Sequence, residues 1–248
     1  SEVLNKLITK IKSKNKKKEY YLTDIVDLAN KNNFKVDYIE ADFLKTLGIN
    51  TKQELAIAEE YFQNTLRKKF ISSGVKLLNP KSIFFNYDTK IGNDVIIEPN
   101  VFFGPNVIIQ DNVRIKAFSH IEGVKILNDA VIGPFARLRP GTVIGSNSHI
   151  GNFVEIKKTY IKKNSKVNHL AYIGDSNVGE NVNIGAGVIT CNYDGINKNK
   201  TKIEDNVFVG SNVSLVAPIK LSKNSMVGAG SVITESVKKN VLAVERNL

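Results

Sequence analysis

From Ile91 onward an aliphatic or aromatic residue returns at every sixth position: Ile91, Ile97, Phe103, Ile109, Ile115 and Ile121. Six fits neither the 3.6-residue period of a helix nor the two-residue period of a strand. The pattern restarts at Ile132 and runs through Leu138, Ile144, Ile150 and Ile156, shows again at Val178 and Ile184, and finishes at Ile203, Val209, Leu215, Leu221, Val227 and Ile233. Four residues after most of these anchors stands a small or β-branched residue, such as Val95, Val101, Ser119, Ala136, Thr142, Ser148, Val182 or Ser231, and Gly often follows the anchor directly. A six-residue period is the signature of a parallel β-helix, in which each short strand forms one side of a coil and buries what neighbouring coils leave open. The anchor points inward, the small residue fills the corner, and Gly, Asn and Asp permit the turn. Coils stack at about 4.8 Å, so 91–233 should give about seven or eight coils and a rod of about 35 Å.

Upstream the chain changes character. "TKQELAIAEEYFQNTLRKKF" opens with capping-box spacing, Thr51 to Glu54, and repeats apolar residues at Leu55, Ala58, Phe62, Leu66 and Phe70. That is an amphipathic helix over about 52–73, closed by Gly74. Before it "LTDIVDLANK" reads as a short helix and "FKVDYIE" as a strand, so 1–50 is expected to be an α/β piece too small to stand alone. We expect it to be the end of something larger; the missing initiator Met agrees with that. The expected organisation is a remnant over 1–50, a connecting helix over 51–74, a β-helix over 75–240 carrying an inserted loop at 191–202, and a tail over 241–248. The class is mainly β.

The net charge is +11, but the lysines are scattered, without aromatic interleaving or a nucleic-acid motif, so nucleic acid is not expected as a partner. No apolar run reaches membrane-spanning length and the start has no signal-peptide core, which makes no membrane and a cytoplasmic location the defaults. The single Cys191 excludes an internal disulfide, and no Cys/His cluster of zinc type exists.

His120 and His149 fall just before anchors, where side chains point outward, and read as solvated surface residues. His169 stands where the repeat loses phase and basic, aromatic and amide residues gather. Farther on, "TCNYDGINKNKT" replaces hexads altogether. The strings "GPFARLRPG", "GNFVEIKK", "NHLAYIGD", "NVNIGAGVITCNYDG", "NKNKTKI" and "VFVGSNVSLVAP", with a late Arg246, resemble the C-terminal half of the bacterial bifunctional N-acetylglucosamine-1-phosphate uridyltransferase/glucosamine-1-phosphate N-acetyltransferase family. "EYYLTDIV" and "GINTKQELAIAEEYF" resemble the tail of its nucleotidyltransferase domain and its connecting helix.

The resemblance implies left-handed β-helices in a homotrimer, and transfer of acetyl from acetyl-CoA to the amine of glucosamine 1-phosphate, a step towards UDP-N-acetylglucosamine and cell-wall precursors. His169 matches the family's base, a residue type whose ordinary pKa of about 6.5 suits proton acceptance from an aminosugar. Arg139, Lys157 and Lys198 match its phosphate and sugar contacts. Tyr172 and Asn183 match sugar or phosphate hydrogen-bonders, and Asn192 and Tyr193 match loop residues that position amine and acetyl group. Ala186, Ser211, Ala229 and Arg246 match acetyl-CoA positions. The 191–202 loop is implied to lean over the cleft shared with a neighbouring rod. Cys191 reads as a packed residue, since direct amine attack needs no covalent intermediate. No metal is expected here: Mg²⁺ belongs to the family's uridyltransferase domain, whose glycine-rich loop and acidic ligands are absent, and Asn50, which resembles one of those ligands, has no partners. Compared with the family pattern, part of a coil is expected to be missing between Ile115 and Ile132. An acetyltransferase for another amine, or a non-catalytic trimeric scaffold, are the alternatives.

Overall fold

The computed structural model describes residues 2–42 and 46–245. In residues 1–58, helices α1 (Glu2–Ile8) and α2 (Asp24–Lys31) pack together and bury Leu7 and Ala29. "FKVDYIE", expected as a strand, forms none: a strand needs a partner for its backbone groups, and among the described residues of this unit there is none. The α/β reading of this segment is corrected accordingly to helices joined by irregular chain.

Helix α3 spans Lys52–Ser72. Its capping box closes both ways, the Glu54 amide donating to Thr51 Oγ1 at 3.1 Å and the Thr51 amide to Glu54 Oε2 at 2.8 Å. Glu54 is held below the usual carboxylate range first by the Asn50 amide and then by Thr51. Gly74, at φ +91, ends the helix, with the Val75 amide reaching back to the Phe70 carbonyl. The buried stripe departs from the expected one: Leu55 and Phe62 are exposed, whereas Gln63, Leu66, Arg67 and Phe70 are buried. The reason is hydrogen bonding as well as apolar burial. An open β-helix end leaves backbone groups unpaired, and Gln63 pairs with both the carbonyl and the amide of Phe85, while Arg67 donates to the Ile83 and Lys81 carbonyls.

From Lys76 to Ala243 the chain winds through three parallel sheets, visited in rotation, with isolated bridges at Phe84 and Val237 in place of a strand in the first and last turns. Face 1 has ten strands, from Lys76–Leu77 to Leu242–Ala243; face 2 has eight, from Phe102–Phe103 to Val232–Ile233; face 3 has eight, from Lys90–Ile91 to Ile219–Leu221. The rod therefore has about nine turns, more than the seven or eight expected, because coils outside 91–233 complete both ends.

The register explains the broken periodicity. Stacked anchors on face 1 are Ile97, Ile115, Ile132, Ile150, Val167, Ile184, Val209 and Val227. Each lies six residues before its successor on face 2: Phe103, Ile121, Leu138, Ile156, Ile173, Thr190, Leu215 and Ile233. Each face 3 anchor from Ile91 to Leu221 likewise lies six residues before the next anchor on face 1. Only the step from face 2 to face 3 varies: six residues from Leu138 to Ile144, five from Ile121 to Ile126, Ile156 to Ile161 and Ile173 to Val178, and thirteen from Thr190 to Ile203. No part of a coil is missing between Ile115 and Ile132, which pair directly; that coil is one residue shorter at this corner.

One apolar cluster fills the rod, with the small corner residues Val95, Val101, Ser119, Ala136, Thr142, Ser148, Val182 and Ser231 buried beside the anchors. At the corner between faces 3 and 1, Asn164, Asn181, Asn206, Asn224 and Asn240 hold positive φ, and each of the first four donates its side-chain amide to the next side chain at 3.1 Å. Asn tolerates this left-handed backbone and gains a partner from stacking.

Candidate active site

Two residues beyond each face 1 anchor, stacking places Asn152, His169, Ala186, Ser211 and Ala229 in one file along the corner between faces 1 and 2. Asn152 pairs with His169 in the strand ladder, and its Oδ1 lies 2.8 Å from His169 Nδ1. An amide oxygen facing Nδ1 places the ring proton there and leaves Nε2 as the acceptor. His169 is exposed, beside a cavity of about 290 Å³ lined also by Lys116, Pro134, His149, Gly151 and Asn152. Above His169 the file narrows to small side chains, flanked by Gly185, Gly210 and Gly228. A Cβ on Gly210 would stand 2.6 Å from the Ala229 amide, so close coil stacking demands glycine there and leaves a bare groove.

A second group gathers at the corner between faces 2 and 3. Arg139 and Lys157 directly follow stacked anchors, and Lys157 pairs with Gly174 on the next coil. Arg139 Nη1 meets Glu155 Oε1 at 2.8 Å. The Lys157 ammonium lies near that of Lys198, which hangs from the inserted loop. That contact, ahead of desolvation and the Arg139 charge, pulls the Lys157 pKa below the ordinary lysine value, while Asp175 opposes the shift. Arg139, Lys157 and Lys198 thus gather three cations against two carboxylates, Glu155 and Asp175, an excess of positive charge suited to an anion. Tyr172 projects from face 2 between the two corners, its hydroxyl lying over Gly174, where a Cβ would stand 2.5 Å from it.

The loop closes on itself. Tyr193 and Lys198 form an antiparallel bridge, and Tyr193 Oη donates to the Gly195 carbonyl at 2.6 Å. Asp194 accepts from the Ile196 and Asn197 amides and from Asn199 Nδ2, chiefly the Asn197 contact holding it below the usual carboxylate range. Asn192 is buried at the loop's root and donates to Asp175 at 2.5 Å. Cys191 is half-buried in the ladder opposite Val216.

Of the residues expected in the site, one chain therefore gathers Arg139, Lys157, Tyr172, Asn192, Tyr193 and Lys198 around face 2 and its far corner, and lines up His169, Ala186, Ser211 and Ala229 along the near corner. Asn183 stands on the outer side of face 1, away from Tyr172. Arg246 lies outside the described residues. Among the described residues no group of His, Cys, Asp and Glu could hold a metal ion, and Asn50 donates its amide to Glu54. Asn152, Asp175 and Thr190 were not singled out by sequence reasoning. All three sit inside or beside the quoted strings, but only stacking of residues seventeen or so apart brings them to the site.

Residues 88–123 match the family described as bacterial transferase hexapeptide (six repeats), and residues 120–220 match that described as the GMPPB C-terminal domain. The bifunctional protein GlmU of Paramagnetospirillum magneticum is 51% identical over 97% of this chain and 54% of its own length. Those of Zymomonas mobilis and Wolbachia pipientis are 47% and 46% identical over 97% and 98% of this chain, covering 54% and 56% of theirs. A solved structure of LpxA from Acinetobacter baumannii aligns over 70% of each chain at 18% identity and a TM-score of 0.37, too loosely to argue from. The chain spans about half the length of the curated relatives it matches. Over the part of those proteins that it spans, this chain belongs to the GlmU family.

Proposed function

We propose that this chain transfers acetyl from acetyl-CoA to the amine of glucosamine 1-phosphate, yielding N-acetylglucosamine 1-phosphate and CoA. The observation that carries the reading is the file Asn152, His169, Ala186, Ser211, Ala229: an oriented imidazole at the foot of a side-chain-poor groove, one face away from a cluster of three cations. His169 Nε2 takes a proton from the acceptor amine as its nitrogen attacks the thioester carbonyl carbon. The tetrahedral adduct then collapses, breaking the carbon–sulfur bond, and the CoA thiolate leaves and is protonated. Arg139, Lys157 and Lys198 hold the sugar phosphate, with Tyr172 and Asn183 on the sugar and Asn192 and Tyr193 near amine and acetyl group. The groove past Ala186, Ser211 and Ala229 takes the pantetheine arm, and Arg246 meets CoA phosphates.

The working unit is a homotrimer with sites between rods. Asn183 and Tyr172 project from different faces, so a ligand touching both needs two chains. Phe118, Phe135 and Phe153 support this as well. They stack 4.9 and 5.0 Å apart at positive φ along the corner that carries His169, and each stays about half exposed in a single chain. The reaction runs in the cytoplasm, and among the described residues no helix is long and apolar enough to cross a membrane.

The test is CoA release with glucosamine 1-phosphate beside other amino sugars and serine. Turnover confined to glucosamine 1-phosphate is expected; preference for another amine would move the reading to a different acetyltransferase. Arg139→Ala or Lys157→Ala should raise the KM for glucosamine 1-phosphate by about tenfold or more and leave that for acetyl-CoA nearly unchanged, as loss of a charge-assisted hydrogen bond does.

A further inference from the structure

Face 2 is aliphatic or aromatic at every anchor except one. Thr190 stands between Ile173 and Leu215, 1% exposed, where a buried hydroxyl needs a partner to offset its desolvation. It has one: the Gly174 amide donates to Thr190 Oγ1 at 2.8 Å, and the Gly174 carbonyl lies 3.2 Å away. Ser176 Oγ donates to the same carbonyl at 2.7 Å. The two hydroxyls pin the turn that carries Asp175, whose φ of +48 lies in the left-handed region. The carboxylate so placed accepts from Asn192 Nδ2, and Asn192 is 7% exposed, its carbonyl accepting the Asn199 amide at 2.7 Å on the loop's returning strand. Asp175 thus grips the root of the loop, on the coil next to Lys157 and within its field.

We propose that Asp175 is a positioning residue of this site: its carboxylate clamps the Asn192 amide and so fixes the stem that presents Tyr193 and Lys198 to the bound sugar phosphate. Thr190 is the strut that holds the clamp's turn. The inference rests on the acetyl-transfer reading for its kinetic consequence but not for its structural one. A part-buried hydrogen bond to a carboxylate, such as this one, contributes enough that its loss changes an opening equilibrium by about ten- to a hundredfold.

Two substitutions separate backbone from side chain. Asp175→Gly keeps the left-handed turn and removes the carboxylate; Asp175→Asn keeps an oxygen that can accept from Asn192 Nδ2 and removes the charge. Amide hydrogen exchange over 191–200, read by mass spectrometry on the full chain, should speed up by about ten- to a hundredfold in Asp175→Gly and stay near wild type in Asp175→Asn. Kinetically, Asp175→Gly should raise the KM for glucosamine 1-phosphate by about tenfold and leave the KM for acetyl-CoA within about twofold, with Asp175→Asn restoring most of the loss. Unchanged exchange in Asp175→Gly, or an Asn variant as damaged as the Gly one, would overturn the clamp. If wild-type protein releases no CoA with glucosamine 1-phosphate, the acetyl-transfer reading fails and the exchange result still decides the clamp.

Discussion

Two corners of the same rod follow opposite rules. Between faces 1 and 2 every step is six residues, coil after coil, and the corner positions stack into uninterrupted files. Between faces 2 and 3 the step is six, five or thirteen, and the turn residues change type from Gly123 and Gly141 to Lys158 and Asp175, all at positive φ. For the proposed reaction, the strict corner supplies a fixed file for base and extended ligand, with Asn152 bracing His169 from below and small side chains above. The variable corner gives what recognition of a compact anion needs, room to add Lys198 and a polar loop without disturbing strand register. A solenoid can carry both because each coil answers only to its neighbours, and a longer loop costs little in closure entropy.

Breaking the strict corner should have the largest effect. Deleting Asn212 would throw Val213 and Leu215 out of the buried register and flip the strand, so the full chain should fail to fold cooperatively, whereas deleting Gly141 only shortens a six-residue step to the five its neighbours already use. Thermal unfolding of both variants checks the contrast; equal losses would deny that the corners differ. Next, His169→Ala should lower kcat by about two to four orders of magnitude with the melting transition unmoved. Retention of more than a tenth of the rate would remove His169 from its role. Asn152→Ala, which frees Nδ1 of the base, should lower kcat by about tenfold with both KM values nearly constant.

The smallest effect is protonic and belongs to the variable corner. Because Lys198 depresses the Lys157 pKa, Lys157 should lose its proton at lower pH than an ordinary lysine, and anion binding should weaken as pH rises through that point. Between this lowered value and 10.5 the unfolded chain holds more protons than the folded one, so stability contributed at Lys157 rises with pH across that window. Lysine-resolved NMR titration should show the shift, its reversal towards 10.5 in Lys198→Gln, and an upward move on adding inorganic phosphate.

How much of this was legible in the sequence follows the same division. Hexad anchors on all three faces could be read directly wherever the six-residue spacing held, since burial there depends only on local spacing. Phase was lost after the corner between faces 2 and 3, where Gly123, Lys158 and Asp175 each complete the turn one residue early, so Ile126, Ile161, Val167 and Ile173 were passed over; nothing in a short window announces that. Thr190 hid as an anchor because it is polar, and its reason for being polar is Gly174, a coil away. Asn152 was invisible for the same cause: its partner is seventeen residues on and meets it only through stacking. The segment "FKVDYIE" misled in the other direction, with strand-like residues and no strand to pair with. His169 and the cations were found through resemblance, not through periodicity.

The central claim is that the oriented imidazole and the cation cluster serve one reaction. Initial rates of CoA release should be measured with glucosamine 1-phosphate and with glucosamine, at matched concentrations, in wild type and in Arg139→Ala/Lys157→Ala. Wild type should prefer the phosphorylated sugar by about a hundredfold or more in kcat/KM, and the double variant should lose most of that preference while keeping its slow rate on glucosamine. Equal rates on the two sugars in wild type, or an undiminished preference in the double variant, would contradict that claim.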